Sequence, residues 1–158
     1  MPMRFALVIC LVLALPLLMP VPVFAQTYSG DAILEPLTQE AGNVIRGRAI
    51  VASRQTGLCL LCHSGPFPEE RFQGNLAPDL LVSSTRLSSP QLRARLVDAS
   101  RFNADTIMPA YFRINHLNRV APQFAGKTIL SAQEIEDVVS FLASLKQWKI
   151  SVDSYLRP

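Results

Sequence analysis

Two thiols separated by two residues and followed at once by an imidazole, Cys59-Leu60-Leu61-Cys62-His63, constrain this chain more than any other feature. The spacing matches the attachment signature of a c-type haem. Two vinyl groups of one porphyrin must each receive a thioether, which asks for cysteines about one turn apart. The adjacent histidine then lies under the iron as its proximal ligand. Two other chemistries use the same residue types. A redox dithiol also uses C-x-x-C, but it expects a βαβ surround and has no need of the histidine. A structural zinc site needs four closing ligands.

The N-terminus bears on that choice. Arg4 is followed by twenty uncharged residues, Phe5 to Phe24, and Val23-Phe24-Ala25 closes the run on a small residue. A short basic start, an apolar core and a small-x-small end predict a secretory signal over residues 1–25, cleaved after Ala25. The run is long enough to span a bilayer as an uncleaved anchor. Against that, Pro16, Pro20 and Pro22 break its second half, and Gln26-Thr27 follows with no basic stop-transfer cluster. Export places the chain in the periplasm, the oxidising compartment where haem is attached in bacteria, and leaves it off the membrane once the signal is gone.

Cleavage also shortens the inventory. The full 158 residues carry a net charge of +3, which falls to +2 with the loss of Arg4 and is too weak for a nucleic-acid footprint. Cys10 goes, so no further cysteine remains to complete a thiolate zinc site. Of four methionines only Met108 survives, and the histidines are His63 and His116. Candidates for the sixth iron position are therefore Met108, His116, a lysine or nothing. Met108 is favoured because Pro109 follows it, fixes the backbone there and disfavours helix. A lone methionine can also be a core gap-filler, but Ile107-Met108-Pro109-Ala110 has no apolar periodicity. Thioether ligation raises the potential relative to a second imidazole. A ligating histidine usually donates its other ring N–H to an acceptor. The carbonyl of Pro78 is the candidate acceptor, the alternative being an ordinary proline turn.

The rest of the chain reads as helices around that motif. Residues 26–39 are polar and turn-prone and are expected to form a flexible N-terminal arm. From Asn43 to Arg54, Val44, Ile45, Ile50 and Val51 are placed where one helical face could bury them. Gly47 weakens that helix by about 1 kcal/mol relative to alanine, so it marks either a close helix–helix approach or a tolerated glycine. The segment 64–85, rich in Gly, Pro and Ser, reads as irregular loop. A short helix follows, with Ser89 as its cap and Pro90 in its first turn. Ser131-Ala132-Gln133-Glu134 is a capping box. Ile135, Val138, Val139, Leu142 and Leu145 then recur at helical steps, with Phe141 beside them, set to meet the glycine notch of the first helix. The fold expected is all-α and cytochrome c-like, N- and C-terminal helices packed around one covalent haem c. Arg86, Arg93, Arg95, Arg101, Arg113 and Arg119 crowd the middle of the chain. They read as a solvated face, in part offsetting haem propionates, or as a positive surface for an anionic partner or substrate.

Four stretches carry a more specific resemblance: Gly57 to His63, Phe72 to Leu80, Leu96 to Arg101 (LVDASR) and Ile107 to Arg113 (IMPAYFR). Together they resemble the SoxX family, mono-haem cytochrome c subunits of the thiosulfate-oxidising SoxAX complex. The resemblance covers roughly residues 40–147, the expected cytochrome domain, and leaves a C-terminal tail, 148–158, without counterpart. It implies that Cys59 and Cys62 hold the haem, that His63 is the proximal and Met108 the distal iron ligand, and that the chain forms a heterodimer with SoxA. In that family thiosulfate is joined oxidatively to a cysteine of the SoxYZ carrier, an L-cysteine S-thiosulfotransferase reaction. The thiol chemistry belongs to a cysteine-ligated haem in SoxA. This chain would then be its non-catalytic electron-accepting subunit and pass electrons to a downstream acceptor cytochrome. Two other functions remain open on sequence: a free-standing periplasmic electron carrier, and a thiol–disulfide oxidoreductase using Cys59 and Cys62.

Overall fold

The computed structural model describes residues 27–156, with side chains through Gln147; the signal expected over 1–25 lies outside them. Helix starts are set by side chains that satisfy the first free amides. Asn43 opens α1 (Val44–Ala52), its side-chain oxygen accepting from Ile45 N and Arg46 N, each at 2.9 Å. Asp79 opens α2 (Leu80–Arg86) by accepting from Leu81 N at 2.8 Å. Ser88, not Ser89, caps α3 (Ser89–Asp98), in a box with Gln91 that also satisfies Ser88 N at 2.9 Å. Ser131 and Glu134 form the box expected at the start of α4 (Ala132–Leu156).

The described residues are mainly helical, and their only strands are β1 (Tyr28–Ser29) and β2 (Ala32–Ile33), a two-residue antiparallel hairpin. α4 is the hub: it packs against α1, α2 and α3. Its predicted stripe is the core, with Ile135, Val138, Val139, Phe141, Leu142 and Leu145 all buried among Val51, Leu60, Phe67 and Leu92. Among the described residues no helix is long and apolar enough to cross a membrane.

α1 meets α4 at Gly47. A Cβ there would overlap the carbonyl oxygen of Asp137 and press on Cβ of Phe141, so the helices approach closely because Gly47 has no side chain. That contact fixes the rotation of α1. Gly47 and Val51 face inward, and Ile45, about 200° around the helix from Gly47, points out and is 81% exposed. The face expected from Val44, Ile45, Ile50 and Val51 is thus only half right. Two adjacent acids of α4 clamp the surrounding elements. Asp137 accepts from Asn43 N at 2.7 Å and Arg46 Nε at 2.6 Å. Glu136, buried, pairs bidentately with buried Arg93 of α3 at 2.7 and 2.8 Å and also accepts from Leu37 N.

Three further expectations need correction. The N-terminal arm is packed: Ile33 and Leu37 enter the core, and Ile33 O accepts from Arg93 Nη1 at 2.8 Å. A two-residue strand is too short for alternation to reveal it. The loop expected over 64–85 ends early, because Asp79 caps α2. The tail from 148 onward continues α4 as far as Leu156. The arginines are mostly engaged within the fold: Arg93 with Glu136, Arg95 with Asp31, Arg113 with Asp98, and Arg101 over the ring of Tyr28 at 4.0 Å.

Candidate functional site

The cysteine segment begins with strain. Leu58 sits at φ 60, left-handed backbone that non-glycine residues avoid at a cost of about 1–3 kcal/mol. It is held there by donating its N–H to Ser53 O at 2.9 Å. A 3-10 turn, Cys59–Leu61, follows, and Cys62 N and His63 N both donate to Cys59 O, at 3.2 and 2.9 Å. Cysteines and histidine therefore occupy one tight turn, as the spacing predicts.

A second loop is bound to that turn rung by rung. Gly74 N donates to Leu60 O at 2.8 Å, Ala77 N to Cys62 O at 3.0 Å and Leu80 N to Ser64 O at 2.8 Å. Ser64 Oγ donates to Asp79 Oδ2 at 2.7 Å. Gly74 allows the approach, since a Cβ there would strike Leu61 O and the backbone of Cys62. Gln73 braces the loop from within, accepting from Gly65 N and donating to Phe67 O. The outcome is that Pro78 O lies 2.6 Å from His63 Nδ1. A carbonyl can only accept, so Nδ1 carries the proton and donates, which leaves Nε2 as the nitrogen available to a ligand. A histidine with one nitrogen fixed in this way is oriented for ligation through the other.

A third loop faces them. Tyr111 N donates to Leu96 O at 3.1 Å and Phe112 N to Val97 O at 3.3 Å, which ties residues 106–112 to the end of α3. Met108 N donates to Thr106 Oγ1 at 3.2 Å. The three loops enclose a cleft of about 630 Å3, lined by Cys59, Cys62, His63 and Pro78 on one side and by Met108, Pro109 and Tyr111 on the other. A smaller cavity of about 140 Å3 shares Cys59, His63, Met108 and Tyr111 and is walled by Val51, Leu92, Leu96, Val138 and Leu142. His116 lines neither space and is exposed. Leu61, Leu76 and Ile107 at the mouth are 46%, 71% and 70% exposed.

The residues suit a porphyrin. The cleft volume lies within the range of about 300–1,000 Å3 typical of cofactor and ligand sites. Its walls are largely apolar, with Asn103, Asp105 and Thr106 as polar exceptions, and two thiols, an imidazole and a thioether line the same space. Among the described residues no three His, Cys, Asp or Glu side chains are grouped to hold a bare ion. Burial pushes the Cys59 thiol up to about 11, against a smaller opposing effect of hydrogen bonding with Tyr111. A redox dithiol needs the reverse, a thiol whose pKa is lowered so that thiolate is present near neutrality. Burial, together with the nearby cysteines, also raises the Tyr111 phenol well above its ordinary value.

Sequence reasoning missed Tyr111, Gln73 and Asp79 as organisers of these loops. Asp79, ahead of the apolar Leu80-Leu81-Val82, was legible as a helix cap. Tyr111 acts through a carbonyl far along the chain, and Gln73 through backbone groups of its own loop that no residue type marks.

No family model matches the chain, and no curated protein matches it. Among solved structures it is similar to a chain in the crystal structure of SoxXA from P. pantotrophus. The identity is 34% over 76% of this chain and 93% of that one, with a TM-score of 0.69. At that identity, over nearly the whole length of a neighbour with the cytochrome c fold, this chain belongs to the SoxX family.

Proposed function

We propose that this chain is a mono-haem c-type cytochrome, the electron-accepting subunit of a periplasmic SoxAX-type complex that conjugates thiosulfate to a cysteine of the SoxYZ carrier. One observation carries the reading: a single cleft is lined by Cys59, Cys62 and His63 from one loop and by Met108 from the loop opposite. Cys59 and Cys62 would hold one haem c by thioethers, His63 Nε2 would be the proximal ligand, Pro78 O would orient that ring, and Met108 Sδ would be distal. The haem iron, when bound, supplies a one-electron acceptor whose potential is raised by thioether ligation.

The chain's own residues define what it does with that electron. His63 is fixed through its bond to Pro78 O, so ligation would cost little reorganisation. With Cys59 and Cys62 both taken up as thioethers the chain would have no nucleophilic thiol left, and with His63 and Met108 both engaged as ligands it would offer no place for a sulfur anion. Joining thiosulfate to a thiol releases two electrons and a proton, so this subunit must pass the electrons on singly. The conjugation itself belongs to SoxA, as the family implies. Residues 1–25 would direct export and be removed. The haem domain proposed over 40–147 takes in the N-terminal segment through Ile33 and Leu37, and its last helix runs on past 147 to Leu156.

The test is reconstitution. The purified chain should accept electrons from small donors yet conjugate no thiosulfate to an acceptor cysteine until SoxA is added. Turnover by this chain alone would contradict the proposal, as would full activity of SoxA with an electron acceptor and this chain absent. A free-standing carrier would show no SoxA co-purifying from thiosulfate-grown cells.

A further inference from the structure

We infer that Tyr111 is a positioning residue: its hydroxyl latches the methionine loop onto the cysteine loop, and so sets how firmly Met108 is held at the distal position. The inference rests on the haem reading above. Three observations carry it. Tyr111 is 3% exposed and lines the cleft between Cys59 and Met108. Its hydroxyl donates to Gly57 O at 2.7 Å, two residues before Cys59 and three residues after Met108 along the opposite strand of chain. Its backbone is anchored on two further sides: Tyr111 N donates to Leu96 O, and Tyr111 O accepts from Ile129 N at 2.9 Å and Leu130 N at 3.1 Å.

The hydroxyl is thus the one side-chain bond that directly joins the loop of Met108 to the loop of Cys59 and Cys62. Pro109 stiffens the chain beside Met108 but reaches nothing across the cleft. Gly57 O also accepts from Cys59 Sγ at 3.3 Å, a bond that a thioether at Cys59 would lose. In the holoprotein, removal of the hydroxyl would therefore leave Gly57 O buried and unpaired and the two loops without a side-chain bond between them. A ligand on a loop closed by one buried hydrogen bond can be displaced by an external ligand, and the ease of displacement measures the closure. A net hydrogen bond of ordinary strength corresponds to a factor of roughly three to ten in that equilibrium.

The experiment is imidazole titration of the ferric holoprotein, followed by loss of the sulfur-to-iron charge-transfer band. Tyr111→Phe keeps the ring and its packing and should bind imidazole roughly three- to tenfold more tightly than wild type. Asn43→Ala, which removes the α1 cap far from the cleft, should lower unfolding stability yet leave imidazole affinity unchanged. Unchanged affinity in Tyr111→Phe, or an equal gain in Asn43→Ala, would overturn the positioning role. Should Tyr111→Phe yield too little holoprotein, wild type supplies the same answer. Imidazole binding should accelerate exchange of the Tyr111 hydroxyl proton, because coupling between the two events is reciprocal; an unaltered rate would overturn the latch. A wild-type spectrum without the band would instead refute Met108 ligation itself, a distinguishable failure.

Discussion

The seam between α1 and α4 and the cleft between the three loops are built by opposite means. At the seam, two helices touch backbone to backbone at Gly47, and buried carboxylates of α4 clamp α1, α3 and the N-terminal segment at Leu37. Every polar group named there has a partner, and the apolar stripe of α4 is almost entirely buried. At the cleft, the loops are held mainly by hydrogen bonds to backbone carbonyls, one residue sits in strained backbone, and Leu76 and Ile107 stand exposed at the mouth. The seam is complete within the chain. The cleft, with apolar side chains over most of its lining and Cys59, Cys62, His63 and Met108 facing one space, has room for a large flat group that the chain does not itself supply. Stability and function therefore reside in different halves, and substitutions should separate them.

The sharpest separation comes from the Arg93–Glu136 pair. Removing one partner of a buried ion pair leaves a charge stranded and costs about 3–5 kcal/mol. Arg93→Met should lose that much in denaturant unfolding while its distal-ligand spectrum stays that of wild type. Pairing it with Glu136→Leu should recover most of the loss. Gly47→Ala comes next: forcing a Cβ against Asp137 O should cost about 1–3 kcal/mol, read as a lower unfolding midpoint with an unchanged slope. If either substitution alters imidazole affinity as strongly as stability, the two regions are not independent.

Acid tests the seam more gently. Burial opposes ionisation of Asp137, but Arg46, Asn43 N and Gln133 outweigh it and hold its carboxyl below the ordinary value. A depressed native pKa contributes stability that is present above the unfolded carboxylate value, about 3.9. That contribution is lost as pH falls from there through the native value. Asp137→Asn should flatten this acid limb in stability-versus-pH measurements; an unchanged limb would remove Asp137 from the account. The smallest effect belongs to the exposed Arg48–Glu69 pair. Arg48→Ala should change unfolding stability by no more than about 1 kcal/mol, and less in high salt.

The same division decides what was legible in the sequence. α4 could be read because its capping box and its apolar steps from Ile135 to Leu145 are local and periodic. Gly47 was visible as an anomaly in α1, and the structure decides between the two readings of it in favour of close approach. Ile45 was misplaced because the rotation of α1 is set by Asp137, more than ninety residues away. Arg93 looked like a solvated charge for the same reason: its partner Glu136 is remote in sequence. At the site, Cys59, Cys62 and His63 were visible through their spacing, and Met108 stood out as the sole methionine beyond the signal. The bonds that organise them, from Gly74 to Leu60 and from Tyr111 to Gly57, pair a side chain or amide with a distant carbonyl. Backbone carbonyls are the same in every residue, so no composition or period reveals which one will be used.

The central claim, one haem bound covalently through Cys59 and Cys62, is tested most directly by mass. The mature chain should be purified from a host that matures c-type cytochromes, weighed intact, digested and titrated for thiols. The account predicts one haem increment, located on the peptide bearing Cys59 to His63, and no free thiol. Two titratable thiols on a chain without that increment would contradict it.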